Sequence, residues 1–294
     1  VGIGSSKANA FSTTLDKYTQ VDHFFIPKDA STAVFNEVFK KLKEYHLVIA
    51  DVQDMSRFAA KNFGLTENSI SFLKQVNKQN TTILTVFGSP YSLKYFQDFN
   101  TIVVGYTDDD DAKSIAAQII FGARSAEGTL PVSVGKFQYG DGECTPSTMR
   151  LKYGSPLEVN MDINKLKKVD NIIYKAIEDK IFPGAQLVVA KDGNVVYEKA
   201  YGFHTYDQKI ATKTADLFDI ASITKVTATV PLIMKMQEQG KININHTLGN
   251  YFTYPANCNK KDIVIKEMLC HQAGLQAWIP FYKYTLDSLG NPDT

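Results

Sequence analysis

A serine and a lysine three residues apart, Ser222 and Lys225, are the residues of this chain whose types and spacing best suit catalysis. Side chains three positions apart share one face of a helix and can meet there. A neutral lysine amine beside a serine hydroxyl can accept its proton and make the oxygen a nucleophile. The pair therefore predicts acyl transfer, with Ser222 as nucleophile and Lys225 as base.

The residues that flank this pair predict the helix that positions it. An apolar approach, LFDIA, leads to Ser222, and the residues after it are mostly apolar or small up to Gly240. We expect Ser222 in the first helical turn, where free backbone N–H groups and the positive helix end favour negative charge on its oxygen. We expect the helix to cross a core, so that burial of Lys225 favours the neutral amine. Pro231 removes one backbone hydrogen bond from this helix.

A structural interpretation competes with the catalytic one, because the pattern is short. In that alternative Ser222 caps the helix and Lys225 extends to solvent. The same spacing occurs in two other pairs, Ser71/Lys74 and Ser133/Lys136. The first pair lies on a predicted surface helix, and the second lies in an extended segment that points neighbouring side chains apart. Both are interpreted as coincidental.

Composition and charge exclude several classes of function. Lys and Arg number 32 against 31 Asp and Glu, a net charge of +1 that gives no electrostatic footprint for nucleic acid. The sequence contains no apolar run of about 18 residues, so it predicts no transmembrane segment. The three cysteines, Cys144, Cys258 and Cys270, form no C-x-x-C, and no H-E-x-x-H occurs. We therefore expect no disulfide framework, no metal and no cofactor.

Residues 1–137 alternate short apolar runs with amphipathic segments. The predicted strands are 21–26, 46–52, 81–87 and 101–106, and the predicted helices are 30–45, 68–79 and 111–122. Nearly continuous apolar strands are typical of a sheet covered on both faces. Alternation of strands with helices predicts an α/β doubly wound domain with a mainly parallel sheet.

The pattern changes after residue 137. Residues 138–160 lose the periodicity and are rich in Gly, Pro, Ser and Thr, which predicts a linker. An amphipathic helix is predicted over 162–180, and a hairpin over 184–202 that turns at Asp192-Gly193. These elements and the later helix predict an α+β domain with an antiparallel sheet over 161–294.

Three segments of this second part keep one order: the hairpin, FDIASITK around Ser222, and IKEMLCHQAGL ending at Leu275. In this they resemble the serine β-lactamase-related family of class C β-lactamases and penicillin-binding proteins. The resemblance implies a β-lactamase/transpeptidase-like fold, Ser222 as nucleophile, Lys225 as partner base and the Ser222 backbone N–H as one oxyanion donor. The family's later Tyr-x-Asn-like and Lys- or His-x-Gly-like motifs are not in this sequence. The resemblance therefore implies a truncated domain with an incomplete site.

The first part has its own resemblance. FFIPKDAS, TVFGSPYSLKYF and above all FGARSAEGTLPVSV are similar to the C-terminal α/β domain of family 3 glycoside hydrolases, in particular bacterial β-N-acetylhexosaminidases. The nucleophilic Asp of that family lies in a preceding barrel, so no sugar cleavage is assigned to these residues. Together the two resemblances imply a piece of a longer bacterial protein, with domains at 1–137 and 161–294 joined by 138–160.

Other polar and aromatic residues favour structural roles. Asp51 and Asp54 follow a strand but are too close along one loop to face each other across a sugar, as a glycosidase pair must. The acids 108–111 precede an apolar-periodic segment and suit the first turn of a helix. His271 is interpreted as structural. Trp278 is interpreted as a core residue, with an exposed aromatic lip over the site as the alternative.

The predicted activity is that of a serine hydrolase that forms an acyl-enzyme from an amide or ester. A peptidoglycan-derived or other small-molecule substrate, and a periplasmic or cell-envelope location, follow from the resemblance alone. The alternative is a non-catalytic module that binds cell-wall peptide, with the α/β domain as a scaffold.

Overall fold

The computed structural model describes residues 1–286. The chain divides into two compact units, residues 1–214 and the residues from Ala215 onward. Among the described residues, none of the helices combines the length and the apolar character needed to cross a bilayer.

The first unit begins with a parallel sheet, as the sequence predicts, and the sheet has five strands where the sequence analysis gives four. Its strands are β1 (Gly2–Ile3), β2 (Phe25–Ile26), β3 (Leu47–Val52), β4 (Thr81–Val86) and β5 (Thr101–Val104), in the order β2-β1-β3-β4-β5. Its helices are α1 (Ala10–Leu15), α2 (Thr32–Leu42), α3 (Glu67–Gln79) and α4 (Asp110–Ile120). The chain passes from β1 to β2 in one direction across the sheet and then from β1's other side through β3, β4 and β5 in the opposite direction. This change of direction makes it a doubly wound α/β sheet.

Alternating side chains of β3 and β4 supply two apolar cores. Ala50 pairs with Leu84, and these side chains pack with α2 and α3 residues such as Phe35 and Phe72. The opposite face packs with α1 and α4, where Phe11 lies edge-on to Phe87 with ring centroids 5.4 Å apart. Because both faces are covered, the strands are apolar almost throughout.

A second, smaller sheet follows in the same unit. Its strands are β6 (Lys152–Tyr153), β7 (Gly184–Lys191) and β8 (Asn194–Gly202), in the order β6-β8-β7, and α5 (Ile163–Glu178) precedes the hairpin. Strands β7 and β8 are antiparallel. Asp192 (φ 52°) and Gly193 (φ 71°) form the turn, and two positive φ values suit an Asp-Gly pair.

Residues 138–160, predicted as a linker, contribute a strand to this sheet. Strand β6 pairs in parallel with β8, where Lys152 lies opposite Asn194. A 3-10 turn follows at Pro156–Val159. The proposed domain limits at 137 and 161 stay a prediction, and residues 287–294 of the predicted second domain lie outside the described residues.

The second unit contains the segment with the Ser-Lys pair. A π-helical turn at Lys225–Thr229 leads directly into α6 (Val230–Glu238), and α7 (Ile265–Leu269) follows later. Thr247 and Val264 form an isolated antiparallel bridge between the two helices in sequence.

Candidate active site

Ser222 and Lys225 are brought together as the spacing predicts. The Lys225 side-chain nitrogen, Nζ, lies 2.8 Å from Ser222 Oγ. The backbone holds the same geometry, because the Lys225 N–H donates to the Ser222 carbonyl oxygen at 3.0 Å. One helical turn therefore places the two side chains within hydrogen-bond distance.

The turn before Ser222 has an unusual backbone. Ala221 has a φ of +44°, in the left-handed region that residues with a Cβ rarely adopt. Asp219 supports this turn, since its Oδ1 accepts from the Ala221 N–H at 2.7 Å. The Thr224 N–H in turn donates to the Ala221 carbonyl at 3.1 Å. Ser222 thus lies just ahead of the helix rather than inside its first regular turn.

The helix after the pair starts as a wide turn. The Val230 N–H donates to the Lys225 carbonyl oxygen, five residues back, which defines a π-helical bond. Pro231, which has no N–H to donate, comes next, so the wide turn ends where the hydrogen-bond ladder loses a donor. The hydrogen bond that Pro231 is predicted to remove therefore falls at the change from π-helix to α-helix.

The expectation that this helix crosses a core is wrong. Ser222 and Lys225 are exposed, and so is most of the helix after them, including Val226 at 63% and Leu232 at 60%. Among the described residues from Ala215 onward, Ile265 is the one buried apolar side chain. The unit offers too little interior to surround the helix, so the burial invoked for Lys225 is not present.

The two coincidental Ser-Lys pairs contact other groups. Ser71 accepts a long hydrogen bond from Gln75 at 3.5 Å. Ser133 Oγ accepts from the Tyr139 N–H at 2.8 Å, and Lys136 lies over the Phe137 ring. Both serines therefore serve local structure.

The acids of the parallel sheet also serve structure. Burial raises the pKa of Asp51 to about 6, although the amide of Gln53 donates to its carboxylate at 2.5 Å. Asp54 contacts Lys28 through an ion pair of 3.2 Å. Asp109 caps α4 by accepting from the Ala112 N–H at 2.8 Å, as the sequence predicts for the acids 108–111.

The predictions for His271 and Trp278 have opposite outcomes. His271 ends the turn after α7 with a left-handed φ of 57°, which fits a structural role. Trp278 is 64% exposed and lies 6.1 Å from the Tyr282 ring, so the prediction of core burial is wrong. Within residues 1–286, no group of three acidic, histidine or cysteine side chains is arranged to hold a metal ion.

A polar cluster on α5 and β8 was not predicted from the sequence. The Asp170 carboxylate accepts from Tyr197 at 2.8 Å, from Tyr201 at 2.7 Å and from Lys199 at 2.5 Å. The hydrogen bond from Lys199 is the main cause that lowers the pKa of Asp170 to about 2. The signal was the alternation Tyr-x-Lys-x-Tyr along one strand, which puts all three donors on one face.

The segment that carries the pair matches a known family. Residues 169–289 match the Beta-lactamase family model, so a beta-lactamase-family domain lies there, and it includes the hairpin, Ser222 and Lys225.

Two curated relatives share part of this chain. The N-acetylmuramyl-L-alanine amidase of Bacillus subtilis is 34% identical over 139 residues, which is 43% of this chain and 31% of the amidase. The protein flp of Staphylococcus aureus is 29% identical over 112 residues, 37% of this chain and 22% of flp. The matches thus span about a third of the first relative and about a fifth of the second.

A solved structure gives a weaker similarity. A fungal multi-domain GH3 β-N-acetylglucosaminidase, described for its GCN5-related glucosamine N-acetyltransferase region, aligns with 79% of this chain and 27% of its own, at a TM-score of 0.34 and 16% identity. A similarity at this score does not establish a shared fold.

Proposed function

We propose that the protein is a serine hydrolase in which Ser222 is the nucleophile and Lys225 is its base. The observation that carries the proposal is the 2.8 Å contact between Lys225 Nζ and Ser222 Oγ, within the range that proton transfer requires. The beta-lactamase-family match over residues 169–289 supports it, because the pair lies inside that range.

The proposed reaction has two steps. Ser222 Oγ attacks the carbonyl carbon of an amide or ester while its proton passes to Lys225 Nζ, and the carbonyl electron pair moves onto oxygen. Collapse of this intermediate breaks the bond to the amine or alcohol, which leaves with the proton from Lys225. Water then attacks the acyl ester, and the acid departs as the serine regains its proton. The Ser222 backbone N–H is the proposed donor to the oxyanion.

The proposed substrate class is a peptide or amide of the bacterial cell wall. Support comes from the Bacillus subtilis relative, which is named an N-acetylmuramyl-L-alanine amidase. The proposed location is the cell envelope or its exterior, where such a substrate lies. We further propose that the α/β domain belongs to a glycoside hydrolase module of a longer protein; the motif FGARSAEGTLPVSV supports this.

The test is acyl-enzyme formation by the full-length protein. Intact-mass spectrometry after incubation with a chromogenic ester or a penicillin should show one added acyl group, and Ser222→Ala should show none. Ester hydrolysis should fall by about a thousandfold or more in Ser222→Ala and Lys225→Ala. Ser71→Ala is the matched control, because Ser71 is also exposed and followed by a lysine three residues later.

Two outcomes would overturn the proposal. Undiminished ester hydrolysis by Ser222→Ala would remove the nucleophile from the mechanism. Saturable binding of a muropeptide without any acyl adduct in the unmutated protein would favour the alternative, a non-catalytic binding module.

A further inference from the structure

The α/β sheet and the β6-β8-β7 sheet meet within the first unit, although the sequence predicts a linker between them. Residues 151–158 lie along this junction, and we call this segment the strap. On one side the strap is bonded to β8 and to the turn before it, since the Gly154 N–H donates to the Val195 carbonyl at 3.1 Å and the Lys152 N–H to the Gly193 carbonyl at 2.9 Å. Tyr153 lies between Lys152 and Gly154, and in an extended strand its N–H points away from β8, toward the opposite edge of the strap.

The side-chain amide of Gln118, on α4, forms hydrogen bonds with both the N–H and the carbonyl oxygen of Tyr153. The Tyr153 N–H donates to Gln118 Oε1 at 3.0 Å, and Gln118 Nε2 donates to the Tyr153 carbonyl at 2.8 Å. Gln118 is only 1% exposed. A buried side-chain amide that pairs with both backbone groups of one residue replaces a neighbouring strand, and losing it would leave buried polar groups unpaired.

Arg124 adds a charged bond at the same place. Its Nη2 lies 2.8 Å from Glu158 Oε2, and its Nε donates to Gln118 Oε1 at 3.1 Å. Glu158 also accepts from the Ser155 N–H at 2.9 Å, which fixes the end of the strap. These bonds lower the pKa of Glu158, with the hydrogen bond from Arg124 as the largest cause. The lowered pKa favours the charged carboxylate of Glu158, which is the form that pairs with Arg124.

Residues after α1 contact both the strap and β8. The Tyr18 hydroxyl donates to the Leu151 carbonyl at 2.9 Å, and its ring lies edge-on to the Tyr153 ring at 5.6 Å. Lys17 forms an ion pair with Glu198 of β8 at 2.7 Å and lies 4.2 Å above the Tyr153 ring. Two separate elements of the α/β domain thus reach the second sheet.

We propose that the strap docks the α/β domain onto the beta-lactamase-related sheet, so that the two form one rigid body. The surface formed by Lys17, Tyr18, Gln118 and Arg124 is the docking face, and its partner is the strap together with β8 of the same chain. The role of the α/β domain is then mechanical support of the β6-β8-β7 sheet, whatever chemistry either domain performs.

Hydrogen exchange of the Tyr153 amide in the full-length protein tests this docking. Among the described residues this N–H donates to Gln118, so its protection in the unmutated protein reports that the two domains are in contact. Gln118→Ala should accelerate Tyr153 exchange by about tenfold or more, while Gly154, bonded to β8, keeps most of its protection. Gln75→Ala, on the exposed face of α3, is the matched control and should change neither amide.

A double-mutant cycle on Lys17 and Glu198 gives a second measurement that does not depend on Gln118. If the domains dock, the effects of Lys17→Ala and Glu198→Ala on the unfolding equilibrium constant should be coupled by roughly twofold or more. Exchange of the Tyr153 amide at the rate of an unstructured peptide in the unmutated protein would overturn the proposal. An unchanged rate in Gln118→Ala, or strict additivity in the cycle, would also contradict it.

Discussion

Ala221 holds a left-handed backbone directly before the proposed nucleophile, and Asp219 is the side chain that supports it. The hydrogen bond of 2.7 Å from the Ala221 N–H to Asp219 Oδ1 offsets part of the cost of a φ of +44°. The direction in which the Ser222 side chain points depends on this turn. Asp219 is therefore a positioning residue, because it contacts the backbone ahead of Ser222 and not the reacting hydroxyl.

Replacement of Asp219 should test that role. Asp219→Ala should lower kcat for ester hydrolysis by about tenfold with little change in KM, since the loss of one hydrogen bond to a charged acceptor misplaces Ser222. Asp219→Asn should restore most of the rate, because its amide oxygen can accept the same bond. Ala221→Gly should also remain active, as glycine adopts a positive φ without strain. Equal impairment of the Asn and Ala variants would argue for a role of the charge instead.

At the scale of elements, the Asp170 cluster joins α5 to β8. Three donors from alternate positions of one strand converge on a single carboxylate that is 14% exposed. The pKa of Asp170 is about 2 in the folded protein, below its ordinary value of 3.8, because the charged form is favoured by these bonds. The stabilisation is therefore complete above pH 4 and is lost as the pH falls from about 4 to about 2.

Asp170→Asn should remove this pH dependence. At pH 7 we expect the variant to be less stable by roughly 1–3 kcal/mol, since the bonds lose their charged acceptor. Between pH 4 and pH 2 the melting temperature of the unmutated protein should fall more steeply than that of the variant. Asp192→Asn, in the exposed turn of the same hairpin, is the matched control and should keep the steep fall. Parallel curves for Asp170→Asn and the unmutated protein would contradict the assignment.

The elements that could be predicted from the sequence are those with enough residues to show a period. Strands β3, β4 and β5, helices α2 to α5 and the hairpin lie where the apolar spacing places them. The strand predicted over 21–26 is present as β2, with Phe25 and Ile26 in strand geometry. Strand β6 has only two residues and α1 has six, so their periods are too short to recognise. Strand β6 exists because Gln118 and β8 bond to its two edges, which no local pattern encodes.

The candidate site shows the same limit. The contact between Ser222 and Lys225 could be predicted, because it depends on helical spacing alone. The left-handed Ala221 and the exposed helix could not, since one depends on a specific turn and the other on which surfaces surround the helix. An apolar composition predicts that a helix prefers burial, and it does not supply the residues that bury it.

At the scale of the whole molecule, the two units differ in how much core they contain. The first unit buries two apolar clusters around its parallel sheet, including Phe87, Phe96 and Leu84 at 0% exposure. In the second unit, among the side chains of residues 215–282, 285 and 286, the buried apolar one is Ile265. Burial of apolar surface is the main free energy that opposes the entropy of the chain, so only the first unit has the means to fold by itself.

Separate expression of the two units should show this difference. Residues 1–214 should unfold in one cooperative thermal transition followed by circular dichroism, and the α/β sheet and the hairpin should melt together if the strap docks them. Residues 215–294 should show no cooperative transition and little amide protection, because Ile265, the one apolar side chain buried in the described part of this unit, cannot offset the entropy of ordering the chain. A cut at residue 160 is the informative comparison, since it keeps the α/β domain and the strap but removes β8, the strand to which β6 is bonded. Residues 1–160 should then melt at a lower temperature than residues 1–214.

Equal melting temperatures of these two pieces would mean that the hairpin contributes nothing to the stability of the first unit. A sharp transition in residues 215–294 would mean that their helices find a core of their own.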